Sequence, residues 1–414
     1  MRPNGIGCYS RLRILAAWIG FLVPAALLGQ SLTWLGTLGG AWSYAYDISP
    51  DGRVVVGVAQ NERLSPRPFL WTAVDGMRDL GTLGGTGGEA RAVSADGMVV
   101  VGIAEDGNGR WRAFRWRAGV GMADLGTLGG AWSAGLALSR DGAFTAGWAD
   151  NGAGNIRAVR WASDGQIEEL GTLGGLQSAA YGISADGAIV VGWAHEASGA
   201  RRAFRWSATE GMQNLGTFPG GGASAAIAVS ADGAVVVGAA RIGPERTDPP
   251  HMFRWTAADG LQDLGTLPDF PMSHAFDVSD DGRVIVGYAQ NAEEEYRAII
   301  WTPQRGLENL NERFAALLAD GSILWVARAV SADGRYIVGR GYNAASGRFE
   351  AYLLDTIPEP TSLTMLIGLL LGLAGSDTLW RKRRRLPTSR AQFHYGCACP
   401  NRAQCIMWGG RVGR

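Results

Sequence analysis

Apolar and polar positions alternate over short runs in this chain, stop at glycine, and begin again in the same order. Residues 90–128 show the unit. Ala90-Arg91-Ala92-Val93-Ser94 leads into Asp96-Gly97, a turn in which glycine accepts the positive φ a tight hairpin needs. Val99-Val100-Val101-Gly102-Ile103 follows, a β-branched run of the kind buried on both faces. After a polar loop from Glu105 to Arg110, Arg112-Ala113-Phe114-Arg115-Trp116 places Phe114 and Trp116 on one face and Arg115 on the other. Gly119 to Gly121 turns the chain into a fourth run, Met122 to Leu128. Four short strands in about 45 residues is the spacing of a propeller blade.

Three columns advance together down the chain. Asp-Gly recurs at Asp51, Asp96, Asp141, Asp186, Asp232, Asp281 and Asp333, each two residues after a serine. Leu-Gly-Thr recurs at Leu35, Leu80, Leu125, Leu170, Leu215 and Leu264, with a degenerate Leu310-Asn311-Glu312 after them. Trp71, Trp116, Trp161, Trp206, Trp255 and Trp301 form the third column, with Leu354 in the last copy. The first three strands therefore occur seven times, but the fourth follows its own blade only six times. Leu32-Thr33-Trp34-Leu35-Gly36-Thr37 is the missing one, displaced to the front. The expected fold is all-β: a seven-bladed β-propeller of four-stranded blades, closed by the N-terminal strand so that no long edge stays open. A linear β-solenoid is the alternative, but it gives no reason to start one strand early and stop one short.

The units resemble the HAF repeat of extracellular bacterial proteins: Arg112-Ala113-Phe114 and Arg202-Ala203-Phe204 match its central step, and Arg297-Ala298-Ile299 nearly does. That resemblance spans residues 32–355 and implies location and shape, with no chemistry to carry over.

Both ends of the sequence read as addresses. Arg2, Arg11 and Arg13 precede an apolar run from Ile14 to Leu28 and then Gly29-Gln30-Ser31, the order of a secretory signal peptide over residues 1–30. After the repeats (residues 31–357) come Pro358-Glu359-Pro360, an apolar stretch over residues 361–380, and Arg381-Lys382-Arg383-Arg384-Arg385. Twenty residues of helix span about 30 Å, enough for a C-terminal transmembrane helix, and the basic cluster leaves the repeats outside the cytoplasm. Residues 358–385 resemble the PEP-CTERM sorting signal of Gram-negative bacteria. The resemblance implies export to the cell envelope or surface, recognition by an exosortase-type processing protease, and a single-pass anchor before any processing. Residues 386–414 change character and are expected to be a disordered tail.

Composition narrows the function. The chain has 38 basic and 38 acidic residues, but the basic ones gather at the termini and leave 26 basic against 36 acidic residues between them. An acidic body argues against nucleic acid as a partner. All four cysteines (Cys8, Cys397, Cys399, Cys405) lie outside the repeats, which therefore fold without disulfides.

Repetition produces like groups, whereas catalysis needs unlike groups brought together. The Asp-Gly aspartates are explained by turn chemistry, the arginines beside the third strand (Arg67, Arg112, Arg157, Arg202, Arg297) by pairing with nearby acids, and the tryptophan column by the core. His195, His251 and His274 share no column, and no cofactor or metal site is expected. Residues that break the repeat carry more information: Trp42, Trp132, Trp148 and Trp193 lie at or beside loops and are the candidate ligand contacts. The expectation is a non-catalytic surface or matrix module that binds extracellular polysaccharide or an envelope protein. A secreted glycan lyase or glycoside hydrolase is the alternative, requiring two acids or an acid and a histidine converging on the channel. A purely structural spacer is a third reading.

Overall fold

The computed structural model describes residues 29–357. The expected signal sequence, the Pro358-Glu359-Pro360 motif, the 361–380 span and the tail with its cysteines fall outside the described residues. Among the described residues no helix is long and apolar enough to cross a membrane.

The fold is a β-propeller-like array of four-stranded antiparallel sheets. Gly84–Val93, Val99–Asp106, Trp111–Arg117 and Gly121–Asp124 form one sheet, each strand paired with the next. Four further sheets repeat this order, starting at Gly129, Gly174, Ser224 and Met272. The remaining eight strands make two such units, joined through one parallel bridge between Trp42 and Phe349. One unit is Gly39–Ile48, Val54–Asn61, Pro66–Thr72 and Gly76–Asp79. The other is Ile323–Val330, Tyr336–Asn343 and Arg348–Asp355, completed by Ser31–Trp34 from the start of the chain. The first strands abut one another in chain order, and Ile323–Val330 abuts Gly39–Ile48.

Strand Ser31–Trp34 runs antiparallel to Arg348–Asp355, with Leu32 opposite Leu354 and Trp34 opposite Tyr352. The Leu35 N–H then donates to the Ala351 carbonyl at 2.9 Å. Leu80, Leu125, Leu170, Leu215 and Leu264 make the same bond to the third strands of their own sheets. Leu35 thus does for the last sheet what the other leucines do for theirs.

Two expectations change. The fourth strand is shorter than Met122 to Leu128: it ends at Asp124, because Gly126 has φ +84° and turns the chain out toward the next sheet. The other Leu-Gly-Thr segments do likewise. The degenerate Leu310 copy is a short helix, Leu310–Arg313, followed by the 3-10 turn Ala315–Leu318. Asn309 caps it by accepting from the Asn311 N–H, and Leu310, Phe314 and Leu318 bury one face.

Each sheet is held to the next in the same way. A glycine column on the second strands faces Phe69, Phe114, Val159, Phe204, Phe253, Ile299 and Tyr352 on the third. At Gly192 a Cβ would land on the Ala179 carbonyl oxygen and against the Phe204 ring, so no larger residue fits beside that aromatic. Between sheets, a buried serine on a first strand accepts from a third-strand N–H of the preceding sheet: Ser133 from Ala113, Ser178 from Ala158, Ser224 from Ala203 and Ser273 from Met252. Ser43 accepts from Ala351 at 2.8 Å, joining the first sheet to the last.

The turn, pairing and core readings hold. In all seven Asp-Gly turns the serine hydroxyl donates to the aspartate at 2.6–2.7 Å. The turn glycines all have positive φ, Gly97 at +69° for example. Serine and backbone donors hold Asp96, Asp186 and Asp232 below the usual carboxylate range. Arg67, Arg112 and Arg157 pair with Asp79, Asp124 and Glu169 on the fourth strands, while Arg202 and Arg297 reach Glu196 and Glu295. Trp71, Trp116, Trp161 and Trp206 are buried, and Trp255 and Trp301 pack against the core.

Candidate functional site: one end of the central channel

Every first strand carries a β-bulge at the same place, where one extra residue escapes the ladder and the strand bends. The bulged residues are Tyr46, Arg91, Leu136, Tyr181, Ile227, Phe276 and Arg328, and all seven line a central cavity. The channel thus exposes a column of the first strand that changes from copy to copy.

At one end the channel widens into a cavity of about 420 Å³. Tyr44, Tyr46, Phe276, Tyr288, Tyr296 and Trp325 supply its rings, and Arg91, Arg328 and Arg340 its charge; no acid lines it. The rings form a continuous run. Phe276 and Tyr296 lie 5.3 and 5.5 Å from Tyr288, Tyr296 stacks 6.1 Å from Trp325, and Trp325 meets Phe349 at 4.3 Å. Guanidiniums lie on these faces: Arg328 is 4.0 Å from the Phe276 centroid, Arg91 4.0 Å from Tyr46, and Arg340 4.7 Å from Tyr44 and 4.8 Å from Phe349.

The hydrogen bonding of these arginines is incomplete. Arg91 is bonded to Glu89, but its Nε has no partner. Among the described residues Arg328 and Arg340 make no hydrogen bond or ion pair, and the buried Arg340 Nε is unsatisfied. Each guanidinium offers five donors. Burial pulls the Arg328 pKa down, yet a guanidinium this basic stays charged.

Below the mouth lie Asp47 and Asp277, where other copies have alanine or glycine. Asp47 accepts from the Ile48 N–H and, across the sheet boundary, the Val93 N–H, both at 2.8 Å. Asp277 does the same with Val278 and Val330. Both keep some contact with channel solvent but lie so deep that burial pushes each carboxyl up to about 7, against the pull of these donors and Arg328.

The far end is narrow. Ala95 donates to Arg140, Arg140 to Ala185 and Ala185 to Ala231, while Asp280 donates to Ala332 and Ala332 to Pro50, backbone to backbone at 2.9–3.3 Å. The Arg140–Asp280 ion pair joins the third and sixth units here.

The four tryptophans expected to contact ligand do not line the 420 Å³ cavity. Trp42 bridges to Phe349, and Trp132 is 43% exposed on its first strand. Trp148 and Trp193 stand opposite Ala134 and Ala179, the level at which Tyr288 and Arg340 stand in the sixth and seventh units. Trp193 donates to the Tyr181 hydroxyl at 3.1 Å and lies under Arg201 at 4.5 Å. The structure thus places Trp148 and Trp193 at the level of Tyr288 and Arg340 but in other sheets, and sequence reasoning did not single out the bulge column.

The histidines are also dispersed. His251 Nδ1 sits 2.9 Å from Asp263, whereas His274 stacks 5.0 Å from Tyr288, its pKa lowered to about 4 by burial and then by Arg201. Together with Arg201 and Arg241, His274 faces a second recess, walled by residues 246–250.

No family model matches the chain, and neither does any curated protein. Solved structures do resemble it in shape. The β-propeller domain of the Trilobed protease from Pyrococcus furiosus, described as having an open velcro topology, is 9% identical, with 77% of this chain and 97% of that one covered at a TM-score of 0.50. BP39L lectin from Burkholderia pseudomallei is 9% identical over 79% of this chain and 98% of its own, with a TM-score of 0.48. TolB from Acinetobacter baumannii is 13% identical over 75% and 82%, with a TM-score of 0.42. At such identities the likeness concerns the fold alone, and the fold is a propeller.

Proposed function

We propose that this chain is an exported, non-catalytic binding module whose ligand sits in the aromatic and arginine-lined mouth of the channel. The observation that carries the reading is the mouth itself. It gathers residues that break the repeat, exposes ring faces, and leaves guanidinium donors without partners, as a site awaiting a ligand does. In this reading the ring counts seven blades closed by the N-terminal strand, supported by the Leu35–Ala351 and Ser43–Ala351 bonds. Export rests on the signal-like residues 1–30. Display at the envelope rests on the likeness of residues 358–385 to a PEP-CTERM signal, handled by an exosortase-type protease. The HAF-like repeats agree with an extracellular location.

Asp47 and Asp277 give the enzymatic alternative a foothold, since they are repeat-breaking acids in the channel. Each already accepts two backbone N–H groups, one of them across a sheet boundary, a structural role that explains both. The test is an array of glycans and envelope proteins probed with the full chain in detergent, wild type beside Trp325→Ala and Arg340→Gln. Capture that both substitutions weaken is expected. Capture indifferent to them, or turnover of the captured glycan, rejects the reading.

A further inference from the structure

The mouth has a chemistry narrower than "binding", and this step rests on the reading above. We propose that it takes the terminal uronic acid of an acidic polysaccharide, its carboxylate on Arg328 and Arg340 and its ring against the Trp325–Tyr296 face.

Charge comes first. Two guanidiniums, Arg328 and Arg340, line the cavity with neither hydrogen bonds nor ion pairs among the described residues, and no described acid lines it beside them. A carboxylate accepts from such forks in the geometry they offer, and in a half-buried site those bonds are stronger than neutral ones. An uncharged ligand can accept from these donors but leaves the two positive charges uncompensated.

The rings and hydroxyls then favour a sugar. Tyr44, Tyr46, Tyr288 and Tyr296 carry hydroxyls that both donate and accept, and the Tyr296 hydroxyl already accepts from Gln290 at 3.0 Å. The stacked Tyr296 and Trp325 rings offer an apolar platform to the C–H face of a pyranose. A volume of about 420 Å³ suits a small unit and not a folded partner.

The terminal position follows from the far end. Beyond the bulge column the channel narrows to the backbone-bonded collar and the Arg140–Asp280 pair, so a polymer cannot thread through. A site open at one end receives a chain end. The acidic body points the same way, because 36 acidic against 26 basic residues between the termini repel a long polyanion laid across the surface but not one carboxylate inserted at the axis.

Calorimetry on the full chain in detergent tests this with oligogalacturonate, its carboxyl-reduced counterpart and a single-stranded oligonucleotide. The carboxylated oligomer is expected to bind at least about tenfold more tightly than the reduced one. Stoichiometry is expected to stay at one protein per saccharide chain for short and long oligomers. Arg340→Gln and Arg328→Gln are each expected to lower affinity about tenfold for the carboxylated oligomer and to leave melting unchanged. Equal binding of the reduced oligomer overturns the acidic class but leaves the binding-module reading standing. Stoichiometry that grows with chain length overturns the terminal mode. Tighter capture of the oligonucleotide, or no binding of either saccharide, overturns the proposal outright.

Discussion

The two ends of the channel are made by the same seven strands, yet they obey different rules. At the collar end the serine and aspartate of every turn make the same bonds, and backbone groups pass hydrogen bonds from one unit to the next. At the mouth no two neighbouring copies agree: tyrosine, arginine, leucine, tyrosine, isoleucine, phenylalanine and arginine follow one another in the bulge column. The turn serine hydroxyls at the collar are bonded in every copy, and at the mouth Arg340 and Arg91 keep buried nitrogens without partners. A ring needs its repeated bonds only once per unit. When turns and staples supply them, the bulged residue is released from holding the fold and is free to be costly. Local choices that oppose stability are expected at functional positions.

The comparison breaks most violently where the repeat supports both ends at once. Gly192 lies between the Ala179 carbonyl and the Phe204 ring, so Gly192→Val has to move backbone. A loss of about 3 kcal/mol is expected, read as a large drop in melting temperature with binding lost only on unfolding. An unchanged melt would mean that the glycine column is not tightly packed.

Ser43→Ala tests whether the junction between the chain's two ends is built like the others. The substitution strands the buried Ala351 N–H and removes the donor to the Gly36 carbonyl at 2.5 Å. The expected cost is about 2 kcal/mol, matched by Ser178→Ala, whose hydroxyl serves Ala158 and Gly171 alike. If chemical denaturation gives Ser43→Ala a far smaller cost than Ser178→Ala, the junction is looser than the rest.

The collar was legible in the sequence and the mouth was not, for a physical reason. Turn chemistry is local: Ser-x-Asp-Gly specifies its own bonds within six residues, so its repetition announces seven hairpins. A bulge depends on the partner strand. Its trace is a slip in phase, since Ala45 and Ile48 are buried while Tyr46 and Asp47 between them turn to the channel, but without the register that slip looks like imperfect alternation. Tryptophan drew attention at Trp148 and Trp193, whereas the same level of the sixth and seventh units is filled by Tyr288 and Arg340, which composition does not flag. The helix at Leu310 was visible as apolar residues four apart, Leu310, Phe314 and Leu318, hidden by the expectation of another Leu-Gly-Thr.

Between the two ends, Asp47 and Asp277 set a pH dependence that the collar aspartates do not. Their carboxyls are raised from the ordinary value of 3.8 to about 7 by burial. From pH 3.8 to about 7 the unfolded chain has released protons that the folded chain still holds. Stability therefore falls as pH rises through that window and levels off above it. Melting curves across this range are expected to flatten in Asp47→Asn/Asp277→Asn. A double variant with the wild-type slope would show that these carboxyls titrate normally. Asp96 and Asp186, held low by their serine donors, act with the opposite sign, adding stability above the ordinary carboxyl value that is lost as pH falls through their lowered ones.

The smallest expected effect on stability is also the sharpest divider of the two ends. Arg340→Met keeps most of the stem but removes the guanidinium that lies over Tyr44 and Phe349. Losing the ring contacts costs about 0.5–1 kcal/mol, and removing unsatisfied donors returns a similar amount. The melt is therefore expected to move by less than about 0.5 kcal/mol while oligogalacturonate binding falls. At the collar, stability is lost wherever a repeated bond is cut. At the mouth the substitution that weakens recognition leaves the ring intact. A large destabilisation by Arg340→Met would make that arginine a structural member and erase the division between the two ends.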